Sequence, residues 1–273
     1  MTEKTLFDHD LTLEEAEELI KNGADVNIND HYGRTPLFFV KDINIAKLLI
    51  KHGADVNTED AEGETAIFCV KQLDIAKLLI ESNADLTIKN DINNTALFSV
   101  HNTQIAELLI QHGMDVNAKN DHGVTPIYYA ADIDLIDFYI NNGADVNFKT
   151  EDNYIPLYHH TKFLNKDIVT LLINAGSNLN IKSKHGGSIL SIINDYNDVD
   201  PKIHQLLIEH GAVASEIKIY HIYRELFNPE QQKAFDAFAS ITNNDDDFFA
   251  MCLSYQEGVK NNIEIEIKEM EIL

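Results

Sequence analysis

Apolar residues recur at helical spacing in short runs along the chain, the clearest being Ile45-Ala46-Lys47-Leu48-Leu49-Ile50, followed by Lys51, His52 and Gly53. Side chains three and four apart share one helix face, so this run predicts a short amphipathic helix with a single buried stripe. Lys51 and His52 suit the carbonyl end of the helix dipole, and Gly53 stands where a left-handed residue ends a helix. Beyond it, Asp55 to Glu64 is polar and contains Gly63, the pattern of a projecting turn or hairpin. Thr65 is then read as the cap of a second short helix that runs through Val70. The predicted unit is turn, helix, turn, helix.

That unit repeats. Gly-Ala-Asp-Val-Asn begins at Gly23, Gly53 and Gly143, with variants at Asn83 and Gly113, all 30 residues apart. Looser copies start at Gly176 and Gly211, after a further 33 and 35 residues. Asn83 replaces the helix-ending glycine with its best-tolerated substitute. Seven copies at a near-constant period describe one supersecondary unit stacked on itself.

Thr35-Pro36-Leu37-Phe38 and Thr125-Pro126-Ile127-Tyr128, in register with those helix ends, resemble the T-P-L-H-x-A signature of ankyrin repeats. The resemblance covers roughly residues 1–214 and includes Thr5-Leu6-Phe7 with Gly23 at the same offset. It implies an all-α ankyrin-repeat solenoid of about seven helix-turn-helix units, most with a shortened 30-residue period. Two departures stand out. The motif histidine is replaced by Phe38, Phe68, Phe98, Tyr128 and Tyr158, so an aromatic ladder is expected to link repeats by core packing where the family uses histidine hydrogen bonds. The first five copies also lack three residues between the two helices, which shortens the inner helix.

After Gly211 the period stops. In residues 215–273, Asn228-Pro229 reads as a helix start, a second helix is expected from Asp245 to about Gln256, and Ile263 to Ile267 alternates like a strand. This segment is expected to be a mainly helical cap on the array at 1–214, because an end repeat otherwise exposes its apolar face.

Charge narrows the partners. With 45 acidic against 21 basic side chains, the formal charge is -24. Such a surface repels phosphate backbones and anionic lipid, which argues against nucleic acid and membrane. It favours encounter with a basic protein while also serving solubility. Cys69 and Cys252 lie far apart in no metal-ligand pattern, Met1 to Asp10 lacks an apolar leader, and no apolar run is long enough to span a bilayer. A soluble, cytoplasmic protein, monomeric when free, is the expectation.

Searches for chemistry return little. His159 and His160 are adjacent and point apart on a helix, and no H-E-x-x-H pair exists. Asp195 to Asp200 resembles part of a calcium loop but lacks the central glycine and has Leu206 where a bidentate Glu is needed. No phosphate loop, nucleophile elbow or Cys-His pattern occurs. Neither a metal, a cofactor nor an enzymatic activity is expected.

What remains is a binding surface. The resemblance implies successive hairpins acting as fingers along a concave face. By register their tips are His31, Tyr32 and Arg34, then Ala61, Glu62 and Glu64, Asp91, Ile92 and Asn94, Asp121, His122 and Val124, Glu151, Asp152 and Tyr154, and Lys184, His185 and Gly187. The four central fingers hold six acids and no base, with Arg34 and Lys184 on either side. The residue after each ladder aromatic (Phe39, Cys69, Ser99, Tyr129, His159) varies while its neighbours repeat, so packing does not dictate it. Phe39, Tyr129 and His159 therefore join the finger residues as candidate contacts. The expected function is a protein-binding module acting on a basic target, as an inhibitor or adaptor such as a bacterial immunity or antitoxin protein. The alternative is a secreted effector whose C-terminal segment carries the activity.

Overall fold

A computed structural model describes residues 4–8, 10–162, 165–190 and 201–212. They fall into two compact units, one holding residues up to His160 together with Asn174–Ser177, the other beginning at Thr161 and resuming at Asn178. Among the described residues all regular structure is helical. The C-terminal segment with its expected helices, strand and cap, the boundary at 214 and the loop at 195–200 lie outside them.

In the first unit, four outer helices carry the apolar stripes that the periodicity predicts: α1 (Leu13–Lys21), α2 (Ile43–Lys51), α4 (Leu73–Glu81) and α5 (Thr103–Gln111), followed by α6 (Ile133–Asn141). Most begin at a polar cap. Thr12 and Glu15 form a reciprocal capping box on α1, and Asp42, Asn102 and Asp132 accept backbone N–H groups at the starts of α2, α5 and α6. The helix ends are as predicted: Gly53 sits at φ +89° and Asn83 at φ +66°. Gly53 N–H donates to Ile50 and Ala54 N–H to Leu49, closing α2 in a Schellman motif. At the end of α5, His112 Nδ1 donates to the Leu108 carbonyl at 2.8 Å.

Ala16, Ala46, Ala76 and Ala106 are fully buried, and these small side chains let successive outer helices approach closely. Leu49, Leu79 and Leu109 lie beside them with at most 1% exposure, each contributing about 2 kcal/mol of apolar burial. In α6 the larger Ile136 and Tyr139 fill these places, and the fully buried Tyr139 hydroxyl donates to the Leu97 carbonyl at 3.0 Å.

The inner elements differ from the expected helix over Thr65 to Val70. In the second repeat α3 spans only Ala66–Cys69, and its neighbours are single 3-10 turns at Pro36–Phe38, Ala96–Phe98 and Pro126–Tyr128. With three residues fewer, the chain completes about one turn before it must reach the outer helix. Thr65 precedes α3 without a side-chain capping bond, and the same holds at Thr35, Thr95 and Thr125. The ladder aromatics Phe38, Phe68, Phe98, Tyr128 and Tyr158 are buried, as a core role requires. Tyr128 adds polar work, since its hydroxyl lies 2.8 Å from the Phe148 carbonyl and also reaches the Tyr154 carbonyl.

An asparagine ladder joins the turns. Asn27 Nδ2 donates to the Gly53 carbonyl and Asn57 Nδ2 to the Asn83 carbonyl, while Asp55 and Asp85 N–H return to the two asparagine oxygens. Asn117 and Asn147 donate likewise to Gly143 and Gly176.

The second unit continues the same local grammar. α8 (Lys166–Asn174) leads to a hairpin closed by Ser183 N–H on the Gly187 carbonyl at 2.9 Å, and α9 (Pro201–Glu209) ends at Gly211. Asn180 Nδ2 donates to the Gly211 carbonyl at 3.1 Å. α7 (Pro156–Lys162) precedes α8 in the chain.

Candidate protein-binding surface

Each finger is a five-residue loop built by its first residue. Asp60 N–H donates to the Glu64 carbonyl at 2.8 Å, and Asp60 Oδ1 accepts the N–H groups of Glu62 and Glu64 at 2.9 Å each. Asp30, Asn90 and Asn120 do the same for their loops. A short polar side chain is needed because only it can fold back onto the backbone two and four residues on. These stem residues carry no signal in the hydrophobic pattern. Their trace in the sequence is an Asp or Asn seven residues after Gly23, Gly53, Asn83 and Gly113.

Backbone bonds then tie tip to tip. Ala61 N–H donates to the Tyr32 carbonyl (2.8 Å), Asp91 to Glu62 (2.9 Å) and Asp121 to Ile92 (3.0 Å). Gly63 permits this approach, since a Cβ there would lie 3.2 Å from backbone atoms of Asn90 and Asp91. Four successive fingers therefore form one hydrogen-bonded row.

Side chains sort into tips and stems. His31, Tyr32, Glu62, Asp91, Ile92, Asp121, His122, Glu151 and Asp152 are exposed at the tips. Arg34, Glu64 and Tyr154, read from the register as tip residues, lie at the far stems and are half-buried. They sit there because the fifth loop residue closes the hairpin and turns toward the core. Arg34 is held by Asp30, with Nη2 at 2.8 Å and Nε at 3.1 Å from Oδ2. Burial pushes Asp30 upward, but the Arg34 backbone N–H and guanidinium and the Tyr32 N–H together hold its carboxyl below the usual range. Glu64 accepts from Asn90 Nδ2 at 3.0 Å, and burial, helped by Asp60 and Glu62, raises its carboxyl. Tyr154 packs on Tyr158 with ring centroids 5.3 Å apart.

The variable column is only partly open. Phe39 and His159 are half-buried, Tyr129 is 46% exposed, and Cys69 is a free, exposed residue. The Cys69 thiol is nonetheless pushed up to about 11, by burial of its sulfur first and then by Glu64 and Asp60. Tyr129 is braced by Phe98 at 6.0 Å and His159 at 6.2 Å. The His160 ring meets that of His159 edge-on, with centroids 5.5 Å apart and planes nearly perpendicular, and is buried with Nε2 2.9 Å from the Ile127 carbonyl. Among the described residues no group of three or more His, Cys, Asp or Glu is placed to hold a metal ion, and no helix is long and apolar enough to cross a membrane.

Paired helical elements, left-handed helix ends and a row of hydrogen-bonded fingers define a repeat protein that presents a surface. Residues 9–90 and 69–133 match the family model described as ankyrin repeats (3 copies). Among solved structures, the human ASB11 ankyrin repeat domain is similar, with 21% identity over 73% of this chain and 93% of that chain and a TM-score of 0.60. The ankyrin repeat domain of Bcl-3, a unique member of the IkappaB protein family, shows 20% identity over 72% and 91%, with a TM-score of 0.55. No curated protein sequence matches this one. Residues 9–133 therefore read as ankyrin repeats, and the chain has the ankyrin-repeat fold. Repeats of this family are generally protein–protein interaction modules.

Proposed function

We propose that this protein grips a basic protein partner through its finger row and acts as an inhibitor, in the manner of an immunity or antitoxin protein. The observation that carries this reading is the row itself. Glu62, Asp91 and Asp121 are exposed on successive fingers whose backbones are bonded to one another. A fixed line of like charge speeds encounter with a surface of opposite sign, and fingers already ordered lose little entropy on binding. Tyr32 and Ile92 on the fingertips and Tyr129 at the end of an inner turn stand exposed at 52%, 41% and 46%, supplying contact area that does not depend on charge. The free thiol of Cys69 suits a reducing compartment, and the cytoplasm is where we place the protein.

The test is affinity capture from the source organism with the full chain as bait, read by mass spectrometry. Beside it runs a variant carrying Glu62→Lys, Asp91→Lys, Asp121→Lys and Glu151→Lys. A basic protein retained by the natural chain and lost by the variant is the expected result, and its activity should fall when the two are mixed. A partner held equally by both baits removes the acidic row from the account. A captured protein whose activity is untouched makes this chain an adaptor.

A further inference from the structure

One finger contains a filled cation slot, and another repeats the slot without its cation. In the first finger the Arg34 guanidinium lies 4.7 Å from the ring centroid of Tyr32 and 4.7 Å from that of Phe39. Asp30 fixes it from the stem. Three 30-residue periods further on, the positions of Tyr32, Arg34 and Phe39 are occupied by His122, Val124 and Tyr129. Val124 has neither the length nor the charge to cover an aromatic ring. Tyr129 is held from both sides by Phe98 and His159 yet stays 46% exposed, whereas Phe39 beneath Arg34 is half-buried. Cys69 and Ser99 fill the column in the intervening repeats. The fingers next to Tyr129 in sequence carry Asp121, Glu151 and Asp152, all exposed.

We propose that the Tyr129 ring accepts an arginine from the partner, whose guanidinium takes the place that Arg34 holds over Phe39. This rests on the acidic row meeting a basic protein and adds the identity of the side chain. Carboxylates alone attract lysine and arginine alike at long range. A ring discriminates, because the planar, weakly hydrated guanidinium stacks on an aromatic face while the compact ammonium keeps its water.

The full chain is titrated with labelled oligoarginine and oligolysine of equal length, followed by fluorescence anisotropy. Oligoarginine should bind more tightly, and the part of that advantage owed to the ring should be roughly two- to fivefold. Y129L should remove that part while leaving oligolysine affinity unchanged, and Y129F should keep it, since the ring remains and only the hydroxyl goes. Val124→Arg, which fills the slot from within as Arg34 does in the first finger, should remove it too. Circular dichroism checks that each variant is folded. An arginine advantage untouched by both Y129L and Val124→Arg overturns the slot. Equal binding of the two peptides to the natural chain, lost on reversal of the fingertip acids, also overturns it but leaves the basic-partner reading in place. Binding of neither peptide at low salt overturns both.

Discussion

Asn117 bridges to the next turn through Gly143. Its Nδ2 donates to the Gly143 carbonyl at 2.8 Å, while its Oδ1 accepts the Asp145 N–H at 2.8 Å. Asn27 and Asn57 make the same pair of bonds one and two turns into the array. Between the third and fourth turns the place belongs to Thr87, whose hydroxyl goes instead to Asp85 in its own turn at 2.7 Å. Ala84 and Leu86 are half-buried there, where Ala54, Val56, Met114 and Val116 are buried. This seam lacks one amide bridge. Thr87→Asn should restore the bridge to Gly113 and Asp115 and stabilise the chain by about 1 kcal/mol, and Asn117→Thr should cost about the same. Urea unfolding of the full chain reads both, and a Thr87→Asn protein no more stable than the natural one refutes the account.

A second prediction concerns hydroxyls that meet no acceptor or donor. The Oγ1 atoms of Thr35, Thr95 and Thr125 are buried without a hydrogen-bond partner. Where the family signature has histidine, Phe38 and Phe98 offer no polar atom, and Tyr128 commits its hydroxyl to the Phe148 and Tyr154 carbonyls. In the next repeat Ile155, fully buried, already replaces this threonine. Exchanging each threonine for valine should therefore be neutral or stabilising by up to about 1 kcal/mol. Tyr128→Phe should cost about 1–2 kcal/mol, because it takes the donor from carbonyls that face the interior. Denaturation midpoints of the four single variants separate these directions.

The helices, their glycine ends and the place of each finger are legible in the sequence, because periodicity and backbone conformation act locally. Ile45, Ala46, Leu49 and Gly53 already name a stripe and a stop. Within a finger, legibility fades. Glu62 and Glu64 are indistinguishable as letters, yet one is an exposed tip and the other a half-buried stem bonded to Asn90. That distinction depends on how the next repeat stacks, a contact 26 residues away. The asparagine ladder is visible as a recurring letter, but its bonds cross between repeats, so the pattern alone does not reveal its purpose.

Acid should weaken the fold through two buried histidines. Burial, offset in part by the Ile127 carbonyl and reinforced by His159, lowers His160 to about 4, and burial lowers His204 likewise to about 4. An unfolded histidine titrates near 6.5. Below that pH the unfolded chain takes up protons that the folded one refuses, so stability present at pH 7 is lost as pH falls from about 6.5 toward 4. His160 accounts for up to about 3 kcal/mol by the bottom of that window. The carboxylates held low, Asp30 and Asp85, act below it. Urea midpoints at pH 7, 6 and 5 should fall steadily, and less steeply in His160→Gln. An identical slope in that variant would show that the ring is not kept neutral.

The last prediction separates charge from contact on the finger row. Exposed charges are screened beyond about 8 Å at physiological ionic strength, so the acids should act on encounter more than on residence. With the captured partner, reversal of Glu62, Asp91, Asp121, Glu151 and Asp152 to lysine should lower the association rate about tenfold at low salt and much less at high salt. Glu64 is left out, because its bond to Asn90 holds the stem and its reversal would disturb the finger itself. Alanine at Tyr32, Ile92 and Tyr129 should instead raise the dissociation rate, since exposed apolar side chains bury area only in the complex. Glu14, Glu17 and Glu107 lie exposed on the outer helices α1 and α5 and give the control. Their reversal removes as much charge per residue from the same molecule while leaving the fingers alone, so it should change neither rate appreciably. Surface-binding kinetics at two salt concentrations give all three answers. If the outer-helix variant slows association as much as the fingertip variant does, the net charge of the chain is steering the partner and the finger row has no special part in it.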